Sequence, residues 1–365
     1  MTSPTPSPQL ETKIEILDLR HFNARQLRPL LEEQAQVWKK RLRWNYEAST
    51  ELLLKYLDQQ ILPGFVALLR GRILGYCFCV YEGNKAVIGD IYVLAEAPSR
   101  LAVTHTLIRH LLEVLEASPE IDRIESQLLL FEEGQISPAF TSSGFTIYPR
   151  LFLECDLPAT PIPTPSHDIL ATANLDLIPW SPNLYQASAE LIHASYIGHL
   201  DSDINDQYRS LHGSLRFLHN IVRFPGCGIF DPEASWLLRD RATNALAAVI
   251  LCSRVAPDVA HVTQLCIAGP YRGYGLGKFL LQHTMSRLPS GHYRALTLTV
   301  SEANEPALRL YTSAGFHQRL RFEALVLDKT VHPERFKIPT QAEPATEGSG
   351  LFAAFSRKKA TPARN

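Results

Sequence analysis

No run in the sequence reaches the ~18 consecutive apolar residues of a membrane span, so no such helix is expected. Neither sign of charge is in excess: 36 Lys and Arg stand against 37 Asp and Glu in 365 residues, a formal net charge of −1. That balance supplies no electrostatic reason to expect nucleic acid or an anionic membrane as partner. Met1 to Leu10 is Ser, Thr and Pro with neither a basic n-region nor an apolar h-region, so a signal peptide is not expected and a cytoplasmic protein is. CxxC spacing is missing too. Cys77, Cys79, Cys155, Cys227, Cys252 and Cys266 lie mostly in apolar, strand-like runs and read as buried free thiols, with no disulfide and no metal expected. Hydrophobic content of 45% with 20% charged residues is ordinary for a folded chain, and the length suffices for two domains with full cores.

What the sequence does have is a glycine-rich stretch from Gln264 to Leu281, QLCIAGPYRGYGLGKFLL. A β-branched and apolar run ending at Ala268 reads as a buried strand, and Leu276, Phe279, Leu280 and His283 follow at helical spacing. Strand, glycine turn and helix together present backbone N–H groups and the positive end of a helix dipole to an anion such as phosphate. Spacing separates the candidate loops. A P-loop needs Gly at 272 and Ser or Thr at 279, where Arg272 and Phe279 stand. A dinucleotide fingerprint needs its third Gly at 278, where Lys278 stands. The pattern Arg272-x-x-Gly275-x-Gly277 instead resembles the pyrophosphate loop of the GNAT superfamily of acetyl-CoA-dependent N-acetyltransferases.

The order of elements occurs twice. A polar tail over residues 1–11 precedes a strand, two helices, a hairpin around Arg70-Gly71-Arg72, a strand, a helix over 100–116, a strand, a short helix and closing strands to Leu157. Residues 158–173 read as a Pro-rich linker, extended over 158–168, where Pro158, Pro161, Pro163 and Pro165 stand. The second unit, 174–328, repeats the order: strand 175–179, helices 183–200 and 205–221, strands 235–239, 246–253 and 261–268, helix 276–288, strand 293–300, helix 305–314 and strand 316–327. Residues 329–365 read as a mostly disordered tail.

Phe140-Thr141-Ser142-Ser143-Gly144-Phe145 parallels Tyr311-Thr312-Ser313-Ala314-Gly315-Phe316, each a helix ending on a glycine before the last strand. Aligning Val93 with Ile267 places Pro98, Leu101 and Val103 where the second copy has Arg272, Gly275 and Gly277. The first copy is therefore expected to be degenerate and silent. The expected class is α+β (α/β): two tandem GNAT-like domains, 12–157 and 174–328, each a mixed, mostly antiparallel sheet with a splayed parallel pair at its centre and helices on its faces.

The resemblance extends to Asn304-Glu305-Pro306-Ala307-Leu308-Arg309-Leu310-Tyr311, similar to the family's next helix, with Asn at its start and Tyr in its last turn. It implies that acetyl-CoA, a co-substrate, lies between the splayed strands, its pyrophosphate on Gly273, Tyr274, Gly275, Leu276, Gly277 and Lys278 with Arg272 or Lys278 adding charge. Backbone groups of Leu265, Cys266 and Ile267 would hold the pantetheine and polarise the thioester. Tyr311 would protonate the departing thiolate, and Asn304 would touch the cofactor as well as cap its helix. A primary amine of a small molecule or peptide would attack directly. The general base stays open among His261, Glu302, Asp201, Asp203, Asp206 and a water chain, because Gln264 stands where many relatives carry Glu. A non-catalytic acyl-CoA-binding or sensing module is the alternative, and a homodimer stays open, with the first copy either walling the acceptor cleft or forming a dimer face.

Overall fold

The computed structural model describes residues 14–158, 162–288 and 292–331; the tail expected over 1–11 and nearly all of the one expected over 329–365 lie outside the described residues. The first half runs β1 (Glu15–Asp18), α1 (Ala24–Leu42), α2 (Glu47–Asp58), β2 (Gly64–Leu69), β3 (Arg72–Glu82), β4 (Lys85–Val93), α3 (Arg100–Ala117), β5 (Arg123–Gln127), α4 (Ser137–Thr141) and β6 (Thr146–Asp156). The second begins with α5 (Asp168–Thr172), β7 (Leu175–Pro179), α6 (Tyr185–Tyr196), α7 (Asp201–Ile204) and α8 (Leu211–Arg223). It continues through β8 (Ile229–Asp240), β9 (Leu246–Ala256), β10 (Val259–Ile267), α9 (Leu276–Arg287), β11 (Ala295–Ser301), α10 (Glu305–Ser313) and β12 (His317–Asp328).

Alternation along the strands dictates where the helices go. Val66, Leu68, Tyr76 and Phe78 pack with α1 and α2, whereas Ala67, Cys77 and Cys79, one residue out of phase, pack with α3. In the second half Cys266 packs with α6 and α8, and its neighbours Leu265 and Ile267 face the core that holds α9 and α10. Five cysteines are buried and all six are free; Cys227 departs from the sequence reading by being exposed.

The twelve strands form one sheet in the order β1-β2-β3-β4-β5-β12-β6-β11-β10-β9-β8-β7. The last strand of each half has crossed to the other. β6 pairs with β11 from Ser301↔Arg150 to Ala295↔Asp156, and β12 pairs with β5 from Ala324↔Gln127 to Asp328↔Arg123. β6 and β12 then pair with each other, closing the seam. Loops dock reciprocally across it. Asn45 N–H donates to Val255 O at 2.7 Å and Arg43 bridges Glu154 and Asp258. From the other side Gln207 Nε2 donates to Glu82 at 3.0 Å, and the buried Lys85 ammonium is shared by Glu82, Glu125 and Asp206.

Three expectations need correction. The helix expected over 205–221 is a turn over Asp206–Arg209 followed by α8; beyond the extended part of the linker, α5 packs Ile169 and Leu170 into the second core. The strand expected at 235–239 starts at Ile229, because a register shift between Asp231 and Trp236 accommodates Pro232. The loop alignment slips by two residues: the cap of α3 is Ser99, six residues past Val93, whereas the cap of α9 is Gly275, eight past Ile267. Ser99 thus takes the place of Gly275, in the same left-handed conformation (φ 50° against 77°), and the first copy's loop is shorter as well as glycine-free.

Phe322 of β12 is fully buried in the core that also holds Trp38 and Trp44 of the first half. Phe322→Ala is expected to lower stability by about 3–5 kcal/mol. Urea denaturation followed by tryptophan fluorescence checks this, and the loss should appear as one shifted transition because the sheet is shared.

Candidate functional site

The second copy's parallel pair splays for a local reason. β10 and β11 are in register from Val259↔Ala295 to Val262↔Leu298, and there the pairing stops. At the same point β10 shifts register against β9, between Val262 and Gln264, so the strand turns away with Thr263 as the extra residue. β11 continues along β6 to Ser301. The β11-facing side of Gln264, Leu265, Cys266 and Ile267 is left without ladder partners.

Past Ile267 the chain makes a turn over Gly269–Tyr271 and enters α9. Gly273 and Gly275 have φ of +85° and +77°, values that exclude most side chains. A Cβ on Gly275 would also lie 3.3 Å from Ile169 Cδ1. Gly277 is different: a Cβ there would meet Leu310 and Ile267 at 3.6–3.9 Å, ordinary contact, so packing does not demand glycine. No side chain caps α9 and no acid lies in its first turn. The turn is therefore an open, positively polarised N-terminus. Tyr274 and Lys278 are exposed beside it. Arg272 is held on backbone oxygens, Nε to Ile267 O at 3.1 Å and Nη2 to Ser195 O at 2.6 Å, fastening the loop to α6.

Around the splay lies a polar cluster. Tyr208 donates to Gln264 Oε1 at 3.3 Å and stacks on Tyr196, with ring centroids 4.1 Å apart. Gln264 Nε2, Ser195 Oγ and Arg150 Nε are buried without hydrogen-bond partners. Cys266 is pushed up to about 11 by burial, the thiol of an inert core residue. Tyr311, in the last turn of α10, is 8% exposed; burial, then the charge of Asp201, raises its hydroxyl well above the usual tyrosine range. Asp201 accepts from Ser301 Oγ, and its Oδ2 lies 3.6 Å from His199 Nδ1. Asn304 caps α10 through Ala307 N–H at 3.3 Å and brings its amide nitrogen within 3.5 Å of His199 Nε2.

The GNAT-family model, described as the Acetyltransferase (GNAT) family, matches residues 200–316, the span containing this splay, loop and tyrosine. Residues 200–316 are thus similar to a GNAT acetyltransferase domain. Solved structures extend the fold to both halves. A GCN5-related N-acetyltransferase from Sphaerobacter thermophilus aligns with a TM-score of 0.58 at 14% identity, covering 86% of this chain and 95% of that one. A tandem GNAT protein from the clavulanic acid biosynthesis pathway aligns with a TM-score of 0.53 at 14% identity, covering 87% and 98%. At the level of the matched family, that similarity points to acyl transfer in general.

The GNAT fold also separates the sequence-selected residues. Asp201, Asn304, Tyr311 and the β10 segment come together. His261 does not join them: it lies in the paired part of β10, between the rings of Trp44 and Phe152, with Nδ1 2.9 Å from Thr297 Oγ1. Asp203 pairs outward with Arg209 at 3.2 Å, Asp206 is taken by Lys85, and Glu302 pairs with Arg321. His199, Ser301 and Arg150 escaped the sequence reading, and Arg150 carried no signal because only the strand exchange brings it here. A 580 Å³ cavity beside Trp236, Arg254 and Tyr293 lies near Arg287, at the opposite end of α9 from the glycine loop. No helix among the described residues is long and apolar enough to cross a membrane, and among them no group of three His, Cys, Asp or Glu could hold a metal ion.

In the first copy the same construction is filled. Pairing of β4 and β5 ends at Ile88↔Ser126 and the Phe78 ring packs on Gly89. Asp90, two residues past the last parallel pair as Gln264 is, accepts from Gln34, which in turn accepts from Tyr76. Glu33 of α1 takes the amide of Ala95 and the hydroxyl of Tyr92, both at 2.8 Å.

Two outcomes follow from this geometry. Gly275→Ala should cost about 1–2 kcal/mol for its left-handed backbone, whereas Gly277→Ala should be neutral or stabilise by up to about 1 kcal/mol, both read from thermal unfolding. Burial depresses His261 to about 3 from 6.5. Its contribution to stability is present above pH 6.5 and is lost as pH falls from there toward 3. His261→Phe should flatten that part of a stability-against-pH profile.

Proposed function

We propose that the protein transfers an acetyl group from acetyl-CoA to a primary amine, with the second copy as the catalytic one. The observation that carries this reading is the coincidence, at one splay, of an open helix N-terminus, a glycine that packing does not require and three buried polar atoms without partners. Those features fit a ligand with an anionic end and an amide-bearing arm.

The amides of Leu276, Gly277 and Lys278 would hold the pyrophosphate, with Gly273 and Gly275 shaping the approach. The edge of Leu265, Cys266 and Ile267 that lacks ladder partners would bond the pantetheine amides and polarise the carbonyl. Acetyl-CoA supplies the activated acyl group. Asp201, oriented by Ser301 and flanked by His199, holds the incoming amine and with His199 provides the path for its proton. Tyr311 is kept protonated by burial and can donate to the departing thiolate. Direct attack suits the site, since Cys266, the thiol on this segment of β10, is held in its neutral form.

The test uses the full-length chain, because β12 completes the first half's sheet. Tyr311→Phe should lower turnover by about 10²–10⁴-fold while leaving acetyl-CoA affinity within a few fold. Gly277→Val should weaken acetyl-CoA binding at least tenfold in calorimetry while the protein still folds. Wild-type protein that binds acetyl-CoA yet releases no thiol with a broad amine panel would favour a non-catalytic acyl-CoA-binding module.

A further inference from the structure

Resting on the acyl-transfer reading above, we propose that the acceptor is a small amine that also bears a carboxylate, recognised by Arg150. Arg150 belongs to β6, the strand that the first half contributes to the second half's sheet, and lies directly opposite Ser301 on β11. Cross-strand partners project to the same face. Ser301 uses its hydroxyl to hold Asp201, so Arg150 stands on the amine-binding side of the site. Its charge reaches the buried Tyr208 hydroxyl, which also feels Asp201 and Cys266.

Among the described residues nothing neutralises Arg150. Its Nε is buried without a partner, and among the described residues its guanidinium makes no hydrogen bond or ion pair. Arginines nearby on the seam are all engaged: Arg43 and Arg319 by Glu154, Arg123 by Glu125, Arg321 by Glu133 and Glu302. Arg150 is half-buried, and a partly buried guanidinium gains from a counter-charge, its planar fork matching a carboxylate in two parallel hydrogen bonds.

The filled copy supplies the control. Asp328 opposes Arg123 as Asp156 opposes Ala295, and six residues back from each stand Phe322 and Arg150. Where the first copy closes its core with a fully buried phenylalanine, the second places an unpaired cation. One acceptor can therefore meet Asp201 with its ammonium and Arg150 with its carboxylate. Recognition by charge at both ends selects zwitterionic amino acids over simple amines.

The experiment measures acetyl-CoA-dependent thiol release by full-length protein with α-, β-, γ- and ε-amino acids, each beside its carboxamide. Wild type should favour the best acid over its amide by at least tenfold in kcat/KM. Arg150→Gln should remove that preference through KM, Arg150→Lys should restore part of it, and calorimetric affinity for acetyl-CoA should be unchanged in both. Equal rates for acid and amide in wild type, equal slowing of both by Arg150→Gln, or loss of acetyl-CoA affinity in that variant would overturn the inference and leave the transferase reading standing. Thiol release with no amine at all would overturn both.

Discussion

The backbone ladder between β6 and β12 is the constraint on which the molecule depends. Each strand follows a helix of its own half, yet each finds its second partner in the other half, β6 on β11 and β12 on β5. A sheet edge needs pairing or cover, and here the two incomplete edges satisfy each other. The seam is then reinforced by side chains whose charges would be unfavourable alone: Lys85 among three carboxylates on one side, Arg43 among Glu154, Asp156 and Asp258 on the other. The continuous core that includes Trp38, Phe152, Val259 and Phe322 belongs to neither half.

On that shared frame the two copies have diverged in how they treat the same gap. Both sheets carry a register shift that opens the parallel pair, at Gly89 and at Thr263. In the first copy the gap is packed with Phe78 and a Tyr76–Gln34–Asp90 hydrogen-bond chain, and burial lifts the Asp90 carboxyl to about 7. In the second the equivalent positions keep polar atoms unmet, an arrangement tolerated where a ligand completes it. The silence proposed for the first copy therefore has two sources. Its loop is two residues shorter and holds no glycine, and its own carboxylate, Glu33, has taken the free amide at the strand end.

Element order, the duplication and the glycine loop were legible because each rests on local rules: alternation in strands, helical spacing after Gly275, and a glycine that ends α4 and α10. Asn304 as a cap could be read for the same reason. The exchange of β6 and β12 could not, since a strand's alternation states which face is buried and says nothing about which neighbour it will have. That hid Arg150 from the site. His261 misled in the opposite direction: its position on the strand before the loop suggested chemistry, whereas aromatic rings from α1's end and from β6 enclose it. Helix 205–221 proved to be a short turn and α8 separated at Ser210, because the Ser210 side chain caps α8 through Gly213 N–H.

Synthesis from the N-terminus gives the strand exchange a temporal consequence. While the ribosome is still making the second half, β5 has no partner on its outer side and β6 has none at all from its own unit. The first half's hydrogen-bonded surface stays open until residues 317–328 emerge and slide between them, so the latest of the twelve described strands is the one that completes the earlier half.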